Sequence, residues 1–492
     1  MKDIAVGIDI GTTSVKSIAL SVKGEIIYEK SISHDLISLR PGYAEEDSEL
    51  WWNSSERLLR DMVGKIDKKR IASLSFSGMV PTLILLDENG KALRYSIQQN
   101  DARAHKEINE WKQLINEDDY HKQTGNTINQ QVLFPKIDWL RKHEPEVLRK
   151  THVIMGSYNY AVYRATGVTK VDKNWALESG YWLIREEKWY EQIIYKSGIT
   201  LNQLPEVSDS RDIVGYTSKN LEKDTSFPSG IPVLAGMADH VASALASGVR
   251  ENGDLLLKLG GAGDILLSTD ELHLDKRMFI DYHVIPDAFL INGCMASSGS
   301  VVKWLMKQLR ETDASLLDKE AEAVPPGSEQ LIMLPYFLGE KTPIFDTNAR
   351  GVYFGLNLMH TRAHLFRAVL EAVAFGFYHH VKVLNELNLD IKRVFLSNGG
   401  AKSFLWKKIV LDVIGFDGFY LPNHPGSCLG AALLAMESTG LSKNWNTLNE
   451  IQKKNEVIEY SKDNHGVYQK YFEVYLELYD RLQTLFPKIL NI

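Results

Sequence analysis

Two glycine-containing turns, each placed between β-strands, constrain the fold of this chain more than any other feature. An apolar segment over Ile4 to Ile10 is followed by a tight turn and a second alternating segment from Val15 to Val22. The pattern returns where Leu255 to Leu259 is followed by Gly260-Gly261-Ala262-Gly263 and a further segment from Asp264 to Ser268. Period-two alternation bounded by turn residues predicts strands. The repeat therefore predicts two related halves, with a cleft between them in which ligands bind.

Helical and strand patterns alternate along the rest of the chain. Strands are predicted over Ile71 to Ser77 and Val394 to Ser397. Helices are predicted over Trp51 to Val63 and Leu365 to Leu384, where apolar residues recur at helical spacing. Mixed strands and helices in this order predict an α/β architecture.

Composition excludes several classes of protein. The chain of 492 residues carries 56 basic and 63 acidic residues, which disfavours nucleic acid as a partner. Its two cysteines, Cys294 and Cys428, form neither a CxxC motif nor a metal cluster, which excludes a disulfide scaffold and a structural zinc site. Low cysteine usage predicts a reducing, cytoplasmic location. No signal peptide is recognisable and no apolar stretch reaches the roughly 18 residues of a membrane span.

The first turn, within Asp9-Ile10-Gly11-Thr12-Thr13-Ser14-Val15-Lys16, has the chemistry of a phosphate site. Backbone N–H groups near Gly11 and the neighbouring hydroxyls can cradle phosphate oxygens. Asp9 offers an oxygen ligand for Mg²⁺, and Lys16 is long enough to reach a terminal phosphate. An ordinary hairpin with turn-forming residues is the open alternative.

Two further glycine turns allow close approach of a ligand to the backbone. They are Gly260-Gly261-Ala262-Gly263 and Asn398-Gly399-Gly400-Ala401-Lys402-Ser403, the second leading into a helix predicted from Ala401 to Val413. The second turn departs from the P-loop pattern because Ala401 precedes Lys402 where glycine is required. A flexible hairpin turn is the alternative for the first.

Asp239 follows a strand predicted over Ile231 to Ala235 and precedes a helix of small residues. An aspartate there can act as a helix N-cap. It can instead accept the proton of a substrate hydroxyl, as phosphoryl transfer to an alcohol requires.

Taken together, these segments resemble the FGGY family of carbohydrate kinases. The resemblance covers nearly the whole chain and depends on the order of several motifs. The matching segments are Ile8 to Lys16, Arg40 to Asp47 with Trp51-Trp52, Ser77-Gly78-Met79, Asn100-Asp101-Ala102-Arg103, Gly236 to Gly248, Gly399 to Ser403 and Gly426 to Ala432.

The resemblance implies two actin-like, ribonuclease H-like α/β domains of mixed sheets flanked by helices. Residues 1–245 would carry the sugar site and the first phosphate loop, and residues 246–492 would bind the nucleotide. The implied activity is ATP-dependent phosphorylation of a sugar hydroxyl with Mg²⁺. The implied roles are catalytic base for Asp239; metal ligand for Asp9; nucleotide contacts for Gly11, Thr12, Thr13, Lys16, Gly260, Gly261, Gly263, Gly399, Gly400 and Ser403; and sugar contacts for Met79, Asp101, Arg103, Asp239 and His240.

The chain departs from the family pattern at several positions. Gly261 and Ala262 replace two hydroxyl residues that many members carry, which affects the expected contacts to nucleotide phosphates. Val80 stands where xylulose kinases usually have histidine, and His240 replaces a common asparagine. The substrate is expected to be a ketopentose such as xylulose, or a related sugar, polyol or sugar acid.

Two functions of different classes are compatible with the sequence. One is a sugar kinase; the other is a nucleotide-dependent binding or regulatory protein on the same duplicated fold. Met79, Asp101 and Arg103 in the sugar segments favour the kinase, and so does an aspartate placed as a base, because a pure switch needs no substrate base. The missing hydroxyls at Gly261 and Ala262 favour the second function. The expected partner is a small-molecule sugar, and a homodimer is left open.

Overall fold

The computed structural model describes residues 2–38 and 40–490, which form two compact units. The first unit contains the described residues up to Ala246, together with Ile280–Asp287 and Pro425–Lys453. The second contains Ser247–Phe279, Ala288–His424 and the described residues from Lys454 onward. The predicted division at residue 245 falls beside the end of the first of these segments, and two later segments also belong to the first unit.

The strands are short to medium in length. They are β1 (Ile4–Ile10), β2 (Ser14–Ser21), β3 (Ile26–Ser33), β4 (Glu45–Glu46), β5 (Ile71–Gly78), β6 (Ile84–Leu86), β7 (Ser96–Ile97), β8 (Val153–Met155), β9 (Lys170–Asp172), β10 (Trp182–Leu183), β11 (Lys188–Trp189), β12 (Glu206–Ser208), β13 (Ile213–Tyr216), β14 (Pro232–Leu234), β15 (Met237–Ala238), β16 (Asp254–Leu259), β17 (Gly263–Thr269), β18 (Phe279–Tyr282), β19 (Phe289–Met295), β20 (Ile332–Leu334), β21 (Val352–Phe354), β22 (Arg393–Ser397), β23 (Gly418–Tyr420) and β24 (Glu456–Ile458).

The α-helices are interspersed with these strands, and short 3₁₀ turns include Gly399–Lys402. The helices are α1 (Ser48–Val63), α2 (His105–Leu114), α3 (Glu117–Thr124), α4 (Leu133–His143), α5 (Pro145–Lys150), α6 (Ser157–Thr166), α7 (Lys173–Glu178), α8 (Glu191–Ser197), α9 (Lys219–Thr225), α10 (Asp239–Ser247), α11 (Gly299–Gln308), α12 (Ala314–Glu322), α13 (Arg362–Glu386), α14 (Phe404–Ile414), α15 (Ser427–Ser438), α16 (Asn446–Gln452), α17 (Lys462–Leu482) and α18 (Phe486–Leu490).

The central sheet of the first unit has the strand order β13-β14-β5-β1-β2-β3, and β15 also pairs with β5. The first three strands form an antiparallel meander, as the alternating pattern predicts. β1 runs parallel to β5 on its other side. The apolar residues of β1 are fully buried, which explains their near-continuous apolar run.

The central sheet of the second unit repeats this arrangement. β16, β17 and β19 pair antiparallel in succession, and β16 runs parallel to β22 on its other side. β23 and β24 extend the sheet beyond β22. This correspondence confirms the repeat that the two glycine turns predict, and with it an α/β fold built from two related halves.

Helix α14 begins three residues later than predicted. The residues Gly399–Lys402 form a 3₁₀ turn, and the α-helix begins at Phe404 after Ser403, whose hydroxyl accepts a hydrogen bond from the backbone N–H of Trp406. Of the helices in the described residues, none combines the length and the apolar character that crossing a membrane requires.

Candidate active site

The carboxyl end of β5 lies between two aspartates of the first unit. Asp9 on β1 is the register partner of Ser77, and the Ser77 hydroxyl donates a hydrogen bond of 2.8 Å to Asp9 Oδ1. On the other side, β15 pairs with β5 through Met237–Ser77 and Ala238–Gly78, and Asp239 follows directly. Because the carboxyl ends of parallel strands share one edge of a sheet, this pairing brings the two predicted aspartates to the same edge.

The turn after β1 is tight and presents its hydroxyl groups to solvent. The backbone N–H of Gly11 donates to the carbonyl of Ser14 at 3.0 Å, and Thr12 and Thr13 are exposed. Lys16 lies opposite Asp9 on β2, and its ammonium forms an ion pair of 2.7 Å with Glu29. The turn therefore has the exposed donors that a phosphate group needs, while Lys16 has a carboxylate partner on the surface.

Met79 continues β5 into the predicted sugar segment. Its backbone N–H donates to the carbonyl of Ile10 at 3.1 Å, and its carbonyl accepts a hydrogen bond of 2.8 Å from the Ser157 hydroxyl. The side chain is buried. The backbone on both sides of Met79 is thus fixed to β1 and to α6.

Asp101 and Arg103 are both buried and are bonded to each other. The guanidinium of Arg103 donates to both carboxylate oxygens of Asp101 at 2.8 Å and to Glu45 at 2.6 Å. It also lies over the ring of Tyr43, with 4.1 Å between Cζ and the ring centroid. Arg103 Nη1 has no hydrogen-bond partner within the described ranges. This buried donor is consistent with a polar ligand at the segment.

Lys136 on α4 is a buried cation beside this pair, and the sequence patterns gave no signal for it. Its ammonium donates to the carbonyl of Gln98 at 2.8 Å. Burial lowers the pKa of Lys136 to about 7, with Asp101 opposing the shift and Arg103 adding to it. The lysine therefore supports the chain just before Asp101 at a cost in desolvation of its charge.

Asp239 is the first residue of α10, and its side chain is 37% exposed. The backbone turn that leads to Asp239 depends on Gly236, whose φ of +90° lies in the left-handed region. A Cβ atom at Gly236 would lie 2.9 Å from the carbonyl oxygen of Phe76. Glycine therefore permits the close turn that places Asp239 at the edge of the sheet.

His240 lies at the centre of three carboxylates in the first unit. Its Nδ1 is 3.4 Å from Asp239 Oδ1, and its Nε2 is 3.0 Å from Asp281 Oδ2 and 3.7 Å from Glu178 Oε1. Burial opposes the charged ring, but the carboxylates, Asp281 foremost, raise the pKa of His240 well above its ordinary value. Burial and the charge of Asp281 raise the pKa of Glu178 well above that of an exposed glutamate.

Reciprocal hydrogen bonds align the segments that carry Glu178 and Asp281. The side-chain amide of Asn174 on α7 donates to the carbonyl of Tyr282 at 2.9 Å and accepts from its N–H at 2.8 Å. Asp172 caps α7, accepting bonds from the backbone N–H groups of residues 174 and 175. Neither Glu178 nor Asp281 belongs to a motif, so sequence analysis missed both.

In the second unit, the turn over residues 260–262 joins β16 to β17. The carbonyls of Gly260 and Gly261 accept hydrogen bonds of 2.8 and 2.9 Å from the N–H groups of Gly299 and Ser298, where α11 begins. A Cβ atom at Gly261 would meet no atom within 4 Å of it, whereas one at Gly263 would lie 2.5 Å from Met295 Cε. Gly261 therefore has open space beside it, and Gly263 is required by packing.

In the 3₁₀ turn of the second unit, too, one glycine has open space beside it and the other is tightly packed. A Cβ atom at Gly399 would lie in open space, whereas one at Gly400 would lie 2.4 Å from the ring of Trp406. The Ser403 hydroxyl accepts the N–H of Trp406 at 3.0 Å as the cap of α14. Of the three residues predicted to contact the nucleotide here, Gly400 and Ser403 thus have structural roles, and Gly399 is open.

The duplicated α/β fold is shared with solved sugar kinases of the actin-like class. The structure of xylulose kinase from Rhodospirillum rubrum superposes with a TM-score of 0.92 at 36% sequence identity, covering 98% of this chain and 99% of that one. The xylulose kinase of Staphylococcus epidermidis (strain ATCC 35984 / DSM 28319 / BCRC 17069 / CCUG 31568 / BM 3577 / RP62A) is 27% identical over 503 residues, covering 100% of this chain and 99% of the relative. The gluconokinase of Bacillus subtilis (strain 168) is 26% identical over 453 residues, covering 89% of this chain and 88% of the relative.

The family models define the relationship more closely. The N-terminal domain of the FGGY family of carbohydrate kinases matches residues 4–246, and its C-terminal domain matches residues 261–438. The chain belongs to the FGGY family of carbohydrate kinases, whose members use ATP as the phosphate donor. It is therefore a sugar kinase, which favours the enzyme over the binding or regulatory protein that the sequence left open.

Proposed function

We propose that this chain transfers the γ-phosphoryl group of ATP to a hydroxyl of a neutral ketopentose such as xylulose, with Asp239 as the general base. The observation that carries the proposal is the position of β5 between Asp9 and Asp239. A phosphoryl transfer needs an oxygen ligand for a cation and a base for the attacking hydroxyl. The two aspartates at one sheet edge, with Met79 next to them, offer both.

Each residue then has a distinct task. Asp239 accepts the proton as the sugar hydroxyl attacks phosphorus. Asp9 holds Mg²⁺, for which a carboxylate oriented by Ser77 is a suitable hard ligand. When bound, Mg²⁺ neutralises charge on the phosphates. The Gly11–Thr13 turn and Lys16 contact phosphate oxygens, Lys16 exchanging Glu29 for the stronger charge of a phosphate.

The second unit supplies contacts to the nucleotide in this proposal. Gly261 and Gly399 are the two predicted glycines with open space where a Cβ would stand. The backbone can therefore approach a bound nucleotide closely at both positions. The loss of hydroxyl donors at Gly261 and Ala262 leaves backbone N–H groups as the donors at that turn.

Charge around His240 favours a neutral sugar over a sugar acid. Relatives include both a xylulose kinase and a gluconokinase, so family membership alone does not choose between them. The carboxyl groups of Asp239, Asp281 and Glu178 surround one imidazole. Even with Glu178 protonated, the cluster has no net positive charge with which to bind a sugar carboxylate.

A substrate panel tests the proposal. Purified protein is incubated with ATP and Mg²⁺ and with xylulose, ribulose, xylose, xylitol, glycerol or gluconate, and ADP release is followed. We expect the highest kcat/KM with a ketopentose and a much lower value with gluconate. A preference for gluconate would overturn the neutral-sugar assignment, and no turnover on the panel with ATP still bound would overturn the kinase assignment.

Location and assembly are secondary parts of the proposal. The two cysteines are free thiols in the structure, Cys294 partly buried and Cys428 buried, as a protein of the reducing cytoplasm can have. A homodimer remains a prediction. Sedimentation at micromolar concentration decides between one copy and two.

A further inference from the structure

The two ring nitrogens of His240 face carboxylates on opposite sides. Nδ1 faces Asp239 Oδ1 at 3.4 Å, and Nε2 faces Asp281 Oδ2 at 3.0 Å. A neutral imidazole has one N–H donor and one acceptor, so it can satisfy only one carboxylate and must present a lone pair to the other. An imidazolium donates in both directions. Within the described residues Nε2 has no hydrogen bond of good geometry, so the contacts are ion pairs. Two carboxylates at ion-pair distance on opposite sides of the ring favour its charged form.

We propose that His240 is a positioning residue, an imidazolium ion-paired with Asp281, whose Nδ1 attracts Asp239 Oδ1 and so directs the other oxygen of Asp239 toward the substrate hydroxyl. This inference rests on the proposed role of Asp239 as the base. It adds a function for Asp281, whose side chain is 1% exposed and therefore too buried to contact a substrate directly. It also gives a reason for histidine at a position where the family commonly has asparagine.

The charges around the ring agree with this assignment. The groups that face His240 are Asp239 from its own helix, Glu178 from α7 and Asp281 from β18; Asp172 and Tyr158 lie one contact further away. Burial raises the pKa of Asp172 to about 6 and that of Tyr158 well above its ordinary value. With Glu178 protonated, Asp281 is the carboxylate that balances the buried imidazolium.

The proposed pairing of His240 with Asp281 and Asp239, here called the clamp, predicts a specific consequence of Asp281→Asn. Without the Asp281 carboxylate, its negative charge near Nε2 no longer offsets the lowering of the His240 pKa by burial. His240 therefore loses its proton at lower pH. Above that pH the neutral ring no longer donates in both directions. We expect kcat/KM of Asp281→Asn to fall by about tenfold or more as pH rises, in an alkaline limb of the pH profile that begins at a lower pH than any in wild type.

Variants of His240 separate a charged clamp from simple packing. Asparagine can donate from the Nδ1 position but does not titrate. His240→Asn is therefore expected to lower kcat without adding an alkaline limb to the pH profile of kcat/KM. The double variant His240→Asn/Asp281→Asn should also lack it. An Asp281→Asn profile that parallels wild type at a constant factor, or a limb that persists in the double variant, would overturn the proposal.

A direct titration supplies a readout independent of catalysis. Ring ¹⁵N resonances of His240, assigned by their loss in His240→Asn, should change from those of an imidazolium to those of a neutral ring at a higher pH in wild type than in Asp281→Asn. Loss of the ring proton at the same pH in wild type and in Asp281→Asn would overturn the proposal. A kinase-inactive wild type would instead overturn the proposed function, with the ring charge still measured.

A matched control exists in the same unit. His34 Nε2 lies 3.0 Å from Glu46 Oε2, the same distance as in the His240–Asp281 pair, and both side chains are buried. Glu46→Gln removes a carboxylate from a buried histidine that has no contact with Asp239 in the proposal. Glu46→Gln should add no alkaline limb to the pH profile of kcat/KM. A limb of equal size in this control would mean that any buried histidine of the unit can cause the effect, and it would contradict the proposal.

Discussion

Gly7 on β1 lies against α15 so closely that a Cβ atom on it would stand 2.0 Å from the carbonyl oxygen of Cys428. The amide nitrogen of Ala432 would lie 2.8 Å from the same atom. On another side of α15, a Cβ atom at Gly430 would be 2.0 Å from the carbonyl oxygen of Ala242 on α10. The strand that ends at Asp9 and the helix that begins with Asp239 are therefore both packed on one helix of small residues.

The first prediction concerns this packing. Gly7→Ala should lower the free energy of unfolding by at least about 1–3 kcal/mol, because the backbone of α15 must move to accept a methyl group. Gly466→Ala is the control: it lies in α17, exposed, and its Cβ would meet no atom within 4 Å. That change should leave stability equal or higher by up to about 1 kcal/mol. Equal melting temperatures for Gly7→Ala and wild type would contradict the packing.

The second prediction concerns the base. Asp239→Asn keeps the shape of the side chain but removes its basicity, so kcat should fall about 10²–10⁴-fold. The melting temperature should change little because the side chain is partly exposed, and the Kd for ATP should change little because Asp239 contacts the sugar and not the nucleotide in the proposal. If Asp239 only caps α10, asparagine would replace it with near-normal turnover. A kcat within about threefold of wild type would thus show that the base is another group.

The third prediction concerns the metal. Asp9→Ala should remove most of the turnover while leaving the fold intact, and excess chelator should abolish the activity of wild type. Ser77→Ala removes only the 2.8 Å hydrogen bond that orients Asp9, so it should raise the Mg²⁺ concentration needed for half-maximal rate with a smaller loss of kcat. Turnover of Asp9→Ala at the wild-type level, at any Mg²⁺ concentration, would exclude Asp9 from the site.

Much of the fold could be predicted because local pattern and burial agree. The bounds of β1 agree with those predicted, since its apolar run and its glycine turn are both local signals. The predicted helix over Leu365 to Leu384 lies within α13, whose apolar positions are buried. The duplicated fold and the sugar kinase family followed from the order of the motifs.

The rest of the site depends on tertiary contacts that no local pattern encodes. The segment Pro425–Lys453 returns to the first unit because α15 is small enough to meet Gly7, and the sequence of α15 reads only as a small-residue helix. The pairing of Asn174 with Tyr282, residues far apart in the chain, aligns the segments that carry Glu178 and Asp281. The individual roles of the predicted site residues remain predictions.

The fourth prediction separates the two glycines of the 3₁₀ turn. Gly399→Ala adds a methyl group to open space, so the melting temperature should not change, while the KM for ATP should rise if the nucleotide lies against this backbone. Gly400→Ala places a methyl group 2.4 Å from Trp406 and should lower the melting temperature. An unchanged KM for ATP in Gly399→Ala would remove Gly399 from the nucleotide site.

The fifth prediction concerns the pH dependence of stability through Lys136. Its pKa is about 7 in the folded protein and about 10.4 in an unfolded chain, so between these values the unfolded state binds more protons. The free energy of unfolding should therefore increase through this group as pH rises from about 7 to about 10, by up to about 1.4 kcal/mol per pH unit, and the increase is lost as pH falls to 7.

Lys136→Met fills the same space without a titrating group. Because other groups contribute equally to both proteins, the difference between wild type and Lys136→Met in urea unfolding at several pH values isolates the lysine. We expect the advantage of the variant to shrink steadily between pH 7 and pH 10. Two unfolding curves that stay a constant distance apart over this range would show that Lys136 keeps an ordinary pKa, and that Asp101 and the carbonyl of Gln98 stabilise its charge in full.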